Sequence, residues 1–260
     1  MKKYYQYFGL ALIMVFSFYY TEKIAAIILN KNPLMVTINN EKASYNVEAV
    51  NAEINGDYIT PGINGLQVNA RESFYKMQEA DVFNKYFLVF EQDKPDISLE
   101  DNKDKIIKNG NKLLNKVSII LETENEVSDY LKANNIKASM LTNLDDYQYN
   151  NYFEVINNEV EGFKSLENTL NLNKENKHIC VINDYNMDIC LKHKNYLIDP
   201  TLKLNTSNLK DIKSKIGKGS IILINKNVSL IDVKLLLKEI KFKDLEIVYV
   251  SEIISEINNN

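Results

Sequence analysis

The feature that most constrains this chain is an apolar segment at its amino terminus. Lys2 and Lys3 precede residues 4–20, a run with only two clearly polar side chains, and the apolar pattern resumes at residues 24–29. A membrane span needs roughly 20 apolar residues, and tyrosines near both ends of this segment suit the two bilayer interfaces. Because lysines flank the short side, the amino terminus is predicted to stay inside. We therefore predict that residues 4–29 contact the membrane.

This topology places everything after about residue 30 outside the cytoplasm. The predicted location is the cell membrane, with a single span and an extracytoplasmic carboxyl-terminal domain. A cleaved signal peptide is the alternative, but the best small-x-small sequence after the apolar run lies near Ala25 and Ala26 and is not a clean site. An uncleaved anchor is the preferred interpretation.

Composition excludes several classes of protein. A chain of 260 residues with 45% hydrophobic and 25% charged residues has the composition of a globular protein rather than a disordered or fibrous one. The formal net charge is −4, and the lysines are interspersed with acids. Since no basic stripe could follow a phosphate backbone, nucleic acid is not an expected partner.

The chain contains two cysteines, Cys180 and Cys190. An exported domain permits a disulfide between them, but two buried thiols on neighbouring elements are the preferred interpretation. Their spacing is not that of a zinc site, and His178 and His193 do not complete one.

The pattern of apolar, polar and turn-forming residues changes near residues 30 and 115. We predict three regions: residues 1–30 as membrane anchor or signal peptide, residues 31–110 as a small mixed α/β appendage, and residues 111–260 as the main domain. In the appendage, apolar alternation at residues 34–38 predicts a strand, and the Pro-Gly and Asn-Gly pairs within residues 60–65 favour tight turns. A short helix at residues 71–80 and a strand at residues 86–91 complete it.

The main domain alternates short β-branched runs with helical periods, the pattern of strand-helix-strand units around a parallel sheet. Strands are predicted at residues 117–121, 136–141, 178–182, 196–198, 220–224 and 246–250. Thr123-x-x-Glu126 and Ser229-x-x-Asp232 predict capped helix starts. Periodicity alone fits both an open doubly wound sheet and a barrel.

Specific residues narrow this choice. Residues 117–121 lie where a first strand is expected; residues 136–141 (IKASML) are similar to the motif I-x-A-T-F-F; and residues 218–224 and 245–254 form a closing strand-helix-strand pattern. This order resembles the polysaccharide deacetylase family, also called the NodB homology domain or carbohydrate esterase family 4. Residues 61–65 resemble the leader region of anchored Gram-positive members. The resemblance implies a distorted (β/α) barrel of parallel strands ringed by helices.

The family's chemistry requires a divalent metal held by an aspartate and two histidines, with a further aspartate as base. The resemblance places Glu122 at the base position, whereas Thr123 replaces a metal ligand and is better explained as a helix N-cap. The paired histidines should fall within residues 158–167, which contain none. The expected general-acid histidine is replaced by Asn225, which cannot deliver a proton at neutral pH. We therefore predict neither a metal nor another cofactor.

The remaining carboxylates are weak candidates for binding. Glu124, Asp145, Asp184 and Asp199 lie near predicted strand ends or loops, where sites occur in barrels. For the strand-end acids, a solvated rim is the preferred interpretation over a catalytic carboxylate pair. Asp145 and its neighbour Asp146 mimic the missing Asp-Asp motif but follow the second strand, so a loop pair or helix cap is the preferred interpretation.

The strand pattern of the family is present in this sequence, but its metal ligands are missing. We therefore predict a catalytically silent, deacetylase-like domain that binds cell-wall polysaccharide or another envelope protein. Two alternatives stay open: a divergent carbohydrate deacetylase that uses Glu122 with unrecognised ligands, and a purely structural envelope protein. The resemblance therefore leaves enzymatic activity undecided.

Overall fold

The computed structural model describes residues 2–122, 125–142, 152–157, 178–183, 186–192 and 195–259. The helices in these ranges are α1 (Lys2–Asn30), α2 (Pro33–Glu41), α3 (Ala70–Met77), α4 (Glu126–Ala133), α5 (Met187–Lys192), α6 (Leu209–Lys215), α7 (Leu230–Phe242) and α8 (Val250–Ile253). The strands are β1 (Glu53–Asn55), β2 (Tyr58–Thr60), β3 (Gly65–Val68), β4 (Phe90–Asp93), β5 (Ile106–Ile107), β6 (Lys116–Leu121), β7 (Ser139–Thr142), β8 (Glu154–Asn157), β9 (Ile179–Val181), β10 (Tyr196–Ile198), β11 (Leu202–Leu204), β12 (Ile221–Ile224) and β13 (Glu246–Val248).

The chain divides into two compact units. The first comprises residues 1–48 and 65–93, and the second comprises residues 49–64 and 94–260. The boundary predicted at residue 110 does not coincide with this division. The reason is strand pairing, because β2 and β5 bond to each other and β5 bonds to β10, which ties residues 49–64 and 94–110 to the larger unit.

The first unit begins with the predicted apolar helix. Its residues Tyr7–Asn30 are long and apolar enough to cross a membrane, a property that a signal sequence shares. The unit also contains α2, α3 and an antiparallel pair formed by β3 and β4. Its core includes Leu34, Ile38, Phe74 and Met77.

The strand predicted at residues 34–38 is wrong, since these residues lie in α2. The side-chain oxygen of Asn32 accepts a hydrogen bond from the backbone N–H of Leu34 (2.8 Å), and Pro33 occupies the first turn. A side-chain cap followed by proline is a strong helix start. Leu34 and Ile38, four residues apart, then face the same core.

The other predictions for the appendage are confirmed in part. The helix predicted at residues 71–80 is α3, which ends earlier, at Met77. The strand predicted at residues 86–91 starts later, at Phe90, because residues 85–87 form a 3₁₀ turn.

The second unit contains two sheets. One has the order β11-β12-β6-β7-β8, with β13 also paired to β6, and all of these pairs are parallel. The other has the order β1-β2-β5-β10-β9, in which only the β1–β2 hairpin is antiparallel. The six strands predicted for the main domain correspond to β6, β7, β9, β10, β12 and β13. The start of β7 is the largest shift, at Ser139 rather than residue 136.

The first sheet forks at β6. Ser118 of β6 pairs with Ile221 of β12 and with Val248 of β13, whereas Ile120 pairs with Ser139 of β7 on the side away from β12. β13 and β7 therefore occupy successive halves of the same edge of β6. Such a fork makes the barrel a distorted one.

Both faces of the first sheet are buried, as expected for parallel strands. On one face of the sheet, Ile119 of β6 packs against residues of α4, α6 and α7. Ile120 itself lies in a second apolar cluster with Ile107, Ile156 and Ile198, which belong to both sheets. The two sheets thus share one packed interior, which agrees with the predicted distorted (β/α) barrel.

The expected tight turn at Pro61 and Gly62 is absent, because this segment is extended. Ile63 exchanges two backbone hydrogen bonds with Val50, of 2.8 and 2.9 Å. A Cβ atom on Gly62 would lie 2.1 Å from the carbonyl oxygen of Val50. Glycine is needed here for close approach rather than for a turn.

Helix starts correct one prediction and confirm another. The N-cap of α4 is Asn125, not Thr123: its side chain accepts from the backbone N–H groups of Val127 and Ser128, and the Ser128 hydroxyl completes a capping box. At α7, Ser229 accepts from the backbone N–H of Asp232 as predicted.

The two cysteines are joined. Cys180 on β9 and Cys190 on α5 form a disulfide with Cα atoms 6.1 Å apart, and both residues are fully buried beside Ile106 and Leu197. The preferred interpretation of two unpaired thiols is therefore wrong about the bond, whereas the expected burial among apolar side chains is confirmed.

Candidate functional site

The carboxyl ends of β6 and β12 bring two predicted site residues together. Leu121 and Ile224 are paired at the last position of these parallel strands, so Glu122 and Asn225 follow side by side. The backbone N–H of Glu122 donates to the carbonyl of Ile224 (3.3 Å). Strand pairing, rather than proximity in sequence, creates this juxtaposition.

The Glu122 carboxylate is engaged in a hydrogen bond. Its Oε2 accepts the backbone N–H of Lys226 at 2.9 Å, and the Asn125 side chain donates to the carbonyl of Lys226 at 3.4 Å. The loop after β12 closes on itself through a 3.1 Å bond from the N–H of Val228 to the carbonyl of Asn225. Glu122 therefore holds this loop against the end of β6.

Asp199 lies at the end of a strand in the other sheet. It follows β10, and its backbone N–H donates a hydrogen bond to the carbonyl oxygen of Ile107 (3.0 Å). Its carboxylate forms ion pairs with Lys203 (3.2 Å) and Lys108 (3.8 Å). These partly exposed pairs are explained by surface electrostatics alone.

Several predicted positions lie outside the described residues. They are Thr123, Glu124, Asp145, Asp146, Asp184, His193 and residues 158–167. His178, which is described, immediately precedes β9, and its carbonyl accepts the N–H of Tyr196 (2.7 Å).

The chemistry of the donors at the carboxyl ends of β6 and β12 does not fit the family's metal. An aspartate with two imidazoles would be required, whereas these ends supply a carboxylate already bonded to a loop and the carboxamide of Asn225. Within the described ranges, no three His, Cys, Asp or Glu side chains are grouped closely enough to hold a metal ion.

A buried carboxyl group at the opposite ends of the strands was not predicted. Glu154, the first residue of β8, is fully buried. Its Oε2 accepts the Ser139 hydroxyl (2.6 Å) and the backbone N–H of Ser251 (3.2 Å). The Ser139 hydroxyl oxygen in turn accepts the N–H of Val250 (3.1 Å). The signal was present in the sequence, since Glu154 interrupts an apolar run between Phe153 and Val155.

The polar cluster around Glu154 is incompletely satisfied. In the described part of the chain, Glu154 Oε1 and Ser251 Oγ are buried without a hydrogen-bond partner. Burial raises the pKa of Glu154, and the bonds from Ser139 and Ser251 oppose this shift without cancelling it.

Comparisons with known proteins agree with this architecture. No family model matches the sequence. The uncharacterized protein YlxY of Bacillus subtilis is 35% identical over 83 residues, which is 32% of this chain and 26% of that protein. The match thus spans about a quarter of that relative's length.

Solved structures give the broader match. The pseudoenzyme BA3943 of Bacillus anthracis, from carbohydrate esterase family 4, superposes with a TM-score of 0.55 over 86% of this chain and 96% of its own, at 18% identity. A mutant of BA3943 with restored enzymatic activity gives 0.53 over 86% and 99%, also at 18% identity. Together with the forked parallel sheet and shared interior, these matches show that the chain has the fold of the polysaccharide deacetylases of carbohydrate esterase family 4.

Proposed function

We propose that this protein is a membrane-anchored member of the deacetylase-like proteins that binds cell-wall polysaccharide or another envelope protein without performing metal-dependent deacetylation. The observation that carries this proposal is the pair of residues at the ends of β6 and β12. Glu122 holds the Lys226 loop, and Asn225 stands where the resemblance expects a general acid. Fold and activity are separable, so a scaffold can persist without its chemistry.

Proton transfer supports the loss of activity. Departure of the amine in amide hydrolysis needs a group that can donate a proton. The carboxamide of Asn225 has N–H groups but no proton that it releases near neutral pH. The Glu122 carboxylate beside it already accepts the backbone N–H of Lys226. The pair can therefore hold polar groups of a ligand by hydrogen bonds without turning them over.

The anchored location is supported by α1 alone. Its span Tyr7–Asn30 is sufficient in length and composition, and Lys2 and Lys3 favour an inside amino terminus. We expect the intact chain to remain in the membrane fraction after alkaline extraction, with residues after 30 open to protease added outside spheroplasts. Recovery of a soluble, shortened chain would instead identify a cleaved signal peptide.

Catalytic silence is tested with the full chain in detergent. An N-acetylglucosamine oligomer is incubated with the protein and added zinc, cobalt or nickel, and released acetate is measured. We expect no release above the protein-free control. Release that a chelator abolishes would overturn the proposal and favour a divergent hydrolase. That alternative in turn requires Glu122→Ala to lose the activity.

Binding is tested separately by co-sedimentation with insoluble peptidoglycan and with cellulose as a polymer without acetamido groups. We expect retention on peptidoglycan that is reduced for the double variant Glu122→Ala, Asn225→Ala. Equal sedimentation with both polymers, or none, would refute glycan binding and leave an envelope protein as the partner to be tested by crosslinking.

A further inference from the structure

A groove of about 960 Å³ opens within the first unit, between α1, α2 and α3. We call it the interfacial groove. The residues that matter to its chemistry are Tyr19, Lys23, Ile28, Arg71, Phe74 and Tyr75. It lies far along the chain from the strand ends discussed above and is not used by the proposed function.

The lining combines apolar surface with cations. Ile28 and Phe74 provide apolar contact area, while Lys23 and Arg71 provide two positive charges against the one negative charge of Glu22, a formal balance of +1. Both cations are oriented by aromatic rings. The Lys23 ammonium lies 5.0 Å from the ring centroid of Tyr19, and the guanidinium carbon of Arg71 lies 6.0 Å from that of Tyr75.

The position of the groove along α1 matches the edge of a bilayer. This helix has 29 residues and is about 43 Å long at ~1.5 Å per residue, whereas the hydrocarbon core is ~30 Å thick. Counted from Lys3 at the inner surface, ~20 residues of α1 cross this thickness. The outer hydrocarbon boundary then falls near Lys23, inside the groove-lining segment from Tyr19 to Asn30. Tyrosine is favoured at this depth.

We infer that the interfacial groove binds the headgroup phosphate of an anionic phospholipid, with Arg71 and Lys23 as its partners. The inference rests on the proposed anchoring through α1. Guanidinium and phosphate form strong charge-assisted hydrogen bonds. The lipid's acyl chains have adjoining apolar surface on the hydrocarbon side of the groove, because Val15, Phe16 and Phe18 are each more than half exposed. A lipid thus satisfies both halves of the lining, which a free anion does not.

The test uses the full chain in a non-ionic detergent, so it does not depend on whether the anchor is retained in cells. Short-chain phosphatidylglycerol is titrated in and bound lipid is counted by native mass spectrometry, with phosphatidylcholine and inorganic phosphate as comparison ligands. We expect phosphatidylglycerol to bind more tightly than either. Arg71→Ala should weaken it about fivefold, the contribution of one basic residue at an anionic surface, and Arg71→Lys should retain most of the affinity.

Lys76→Ala is the matched control, since Lys76 is an exposed cation on the same helix and does not line the groove. It should leave lipid binding unchanged. If Lys76→Ala and Arg71→Ala weakened phosphatidylglycerol binding equally, the weakening would come from the lower net charge of the protein and not from the groove, and the inference would be overturned. Equal affinity for phosphatidylglycerol and phosphatidylcholine would overturn it as well. So would a stable dimer of this chain whose interface covers the groove and excludes the lipid.

Discussion

Replacing Glu154 with glutamine should remove a proton-linked component of the protein's stability. The carboxyl group is fully buried, and one of its oxygens is held by Ser139 and by the N–H of Ser251. Its other oxygen has no partner in the part of the chain that the structure describes. Because burial disfavours the charged form, the pKa of Glu154 is raised in the folded protein.

The sign follows from proton linkage. Between the unfolded pKa, about 4.3, and the raised folded pKa, the native state keeps a proton that the unfolded state has released. The free energy of unfolding therefore falls as the pH rises through this window, and it does so by at most ~1.4 kcal/mol per pH unit for one proton. Above the folded pKa, the penalty of the buried carboxylate is constant.

Glu154→Gln lacks this slope. We expect the variant and the natural protein to differ little near pH 4.5, by about 1 kcal/mol or less, because the amide replaces a neutral carboxyl of similar shape. Above that pH the variant should become progressively the more stable of the two. Neighbouring Glu252 keeps its 2.8 Å pair with Lys137 in both proteins, so its contribution cancels in the difference.

The assay is urea unfolding of the full chain in detergent from pH 4.5 to 8, followed by circular dichroism. Glu246→Gln, an exposed carboxylate on β13, is the matched control and should give a curve parallel to that of the natural protein. If Glu154→Gln also runs parallel across the whole range, Glu154 is ionised at no unusual cost and the reasoning from burial would be refuted.

Two further substitutions and the reduction of the disulfide test the stability of the second unit by the same unfolding measurement. Gly62→Ala should destabilise it by about 3 kcal/mol or more, since the added methyl group overlaps the carbonyl oxygen of Val50; a loss below about 0.5 kcal/mol would contradict the close approach. Ser229→Ala removes the N-cap of α7 and should cost about 1 kcal/mol, whereas Ser229→Asn should largely preserve stability. Reducing the Cys180–Cys190 disulfide should lower stability by about 2–4 kcal/mol, and a Cys180→Ala, Cys190→Ala protein that does not respond to reductant is the control.

Local chemistry made some elements predictable. The run before residue 30 appears as α1, and the β-branched runs at residues 117–121 and 196–198 appear as β6 and β10. Buried parallel strands form continuous apolar segments, so they can be recognised in the sequence without knowing which strands they pair with. Ser229 was likewise predictable, because an N-cap bonds to residues only a few positions away.

The two errors have different causes. The alternation at residues 34–38 fits a strand over five residues, but Asn32 and Pro33 start a helix whose apolar side faces Phe74. Gly62 was assigned to a turn from its sequence, but in the structure it is required because the backbone of Val50 passes too close for a side chain. The helix start at Asn32 and Pro33 is a local signal that the sequence contains, whereas the contact of Gly62 with Val50 joins two segments whose pairing sequence spacing does not reveal.

The sequence by itself determined the apolar amino-terminal helix, the strand-helix alternation and the absence of histidine from residues 158–167, because these depend on residue identity and local period. Only the tertiary structure decided that Glu122 follows a strand paired with the one before Asn225, and that its carboxylate binds the loop at Lys226. The fork at β6 and the buried cluster around Glu154 are also tertiary. Register and burial arise from contacts between distant segments, and these have no local signature in the chain.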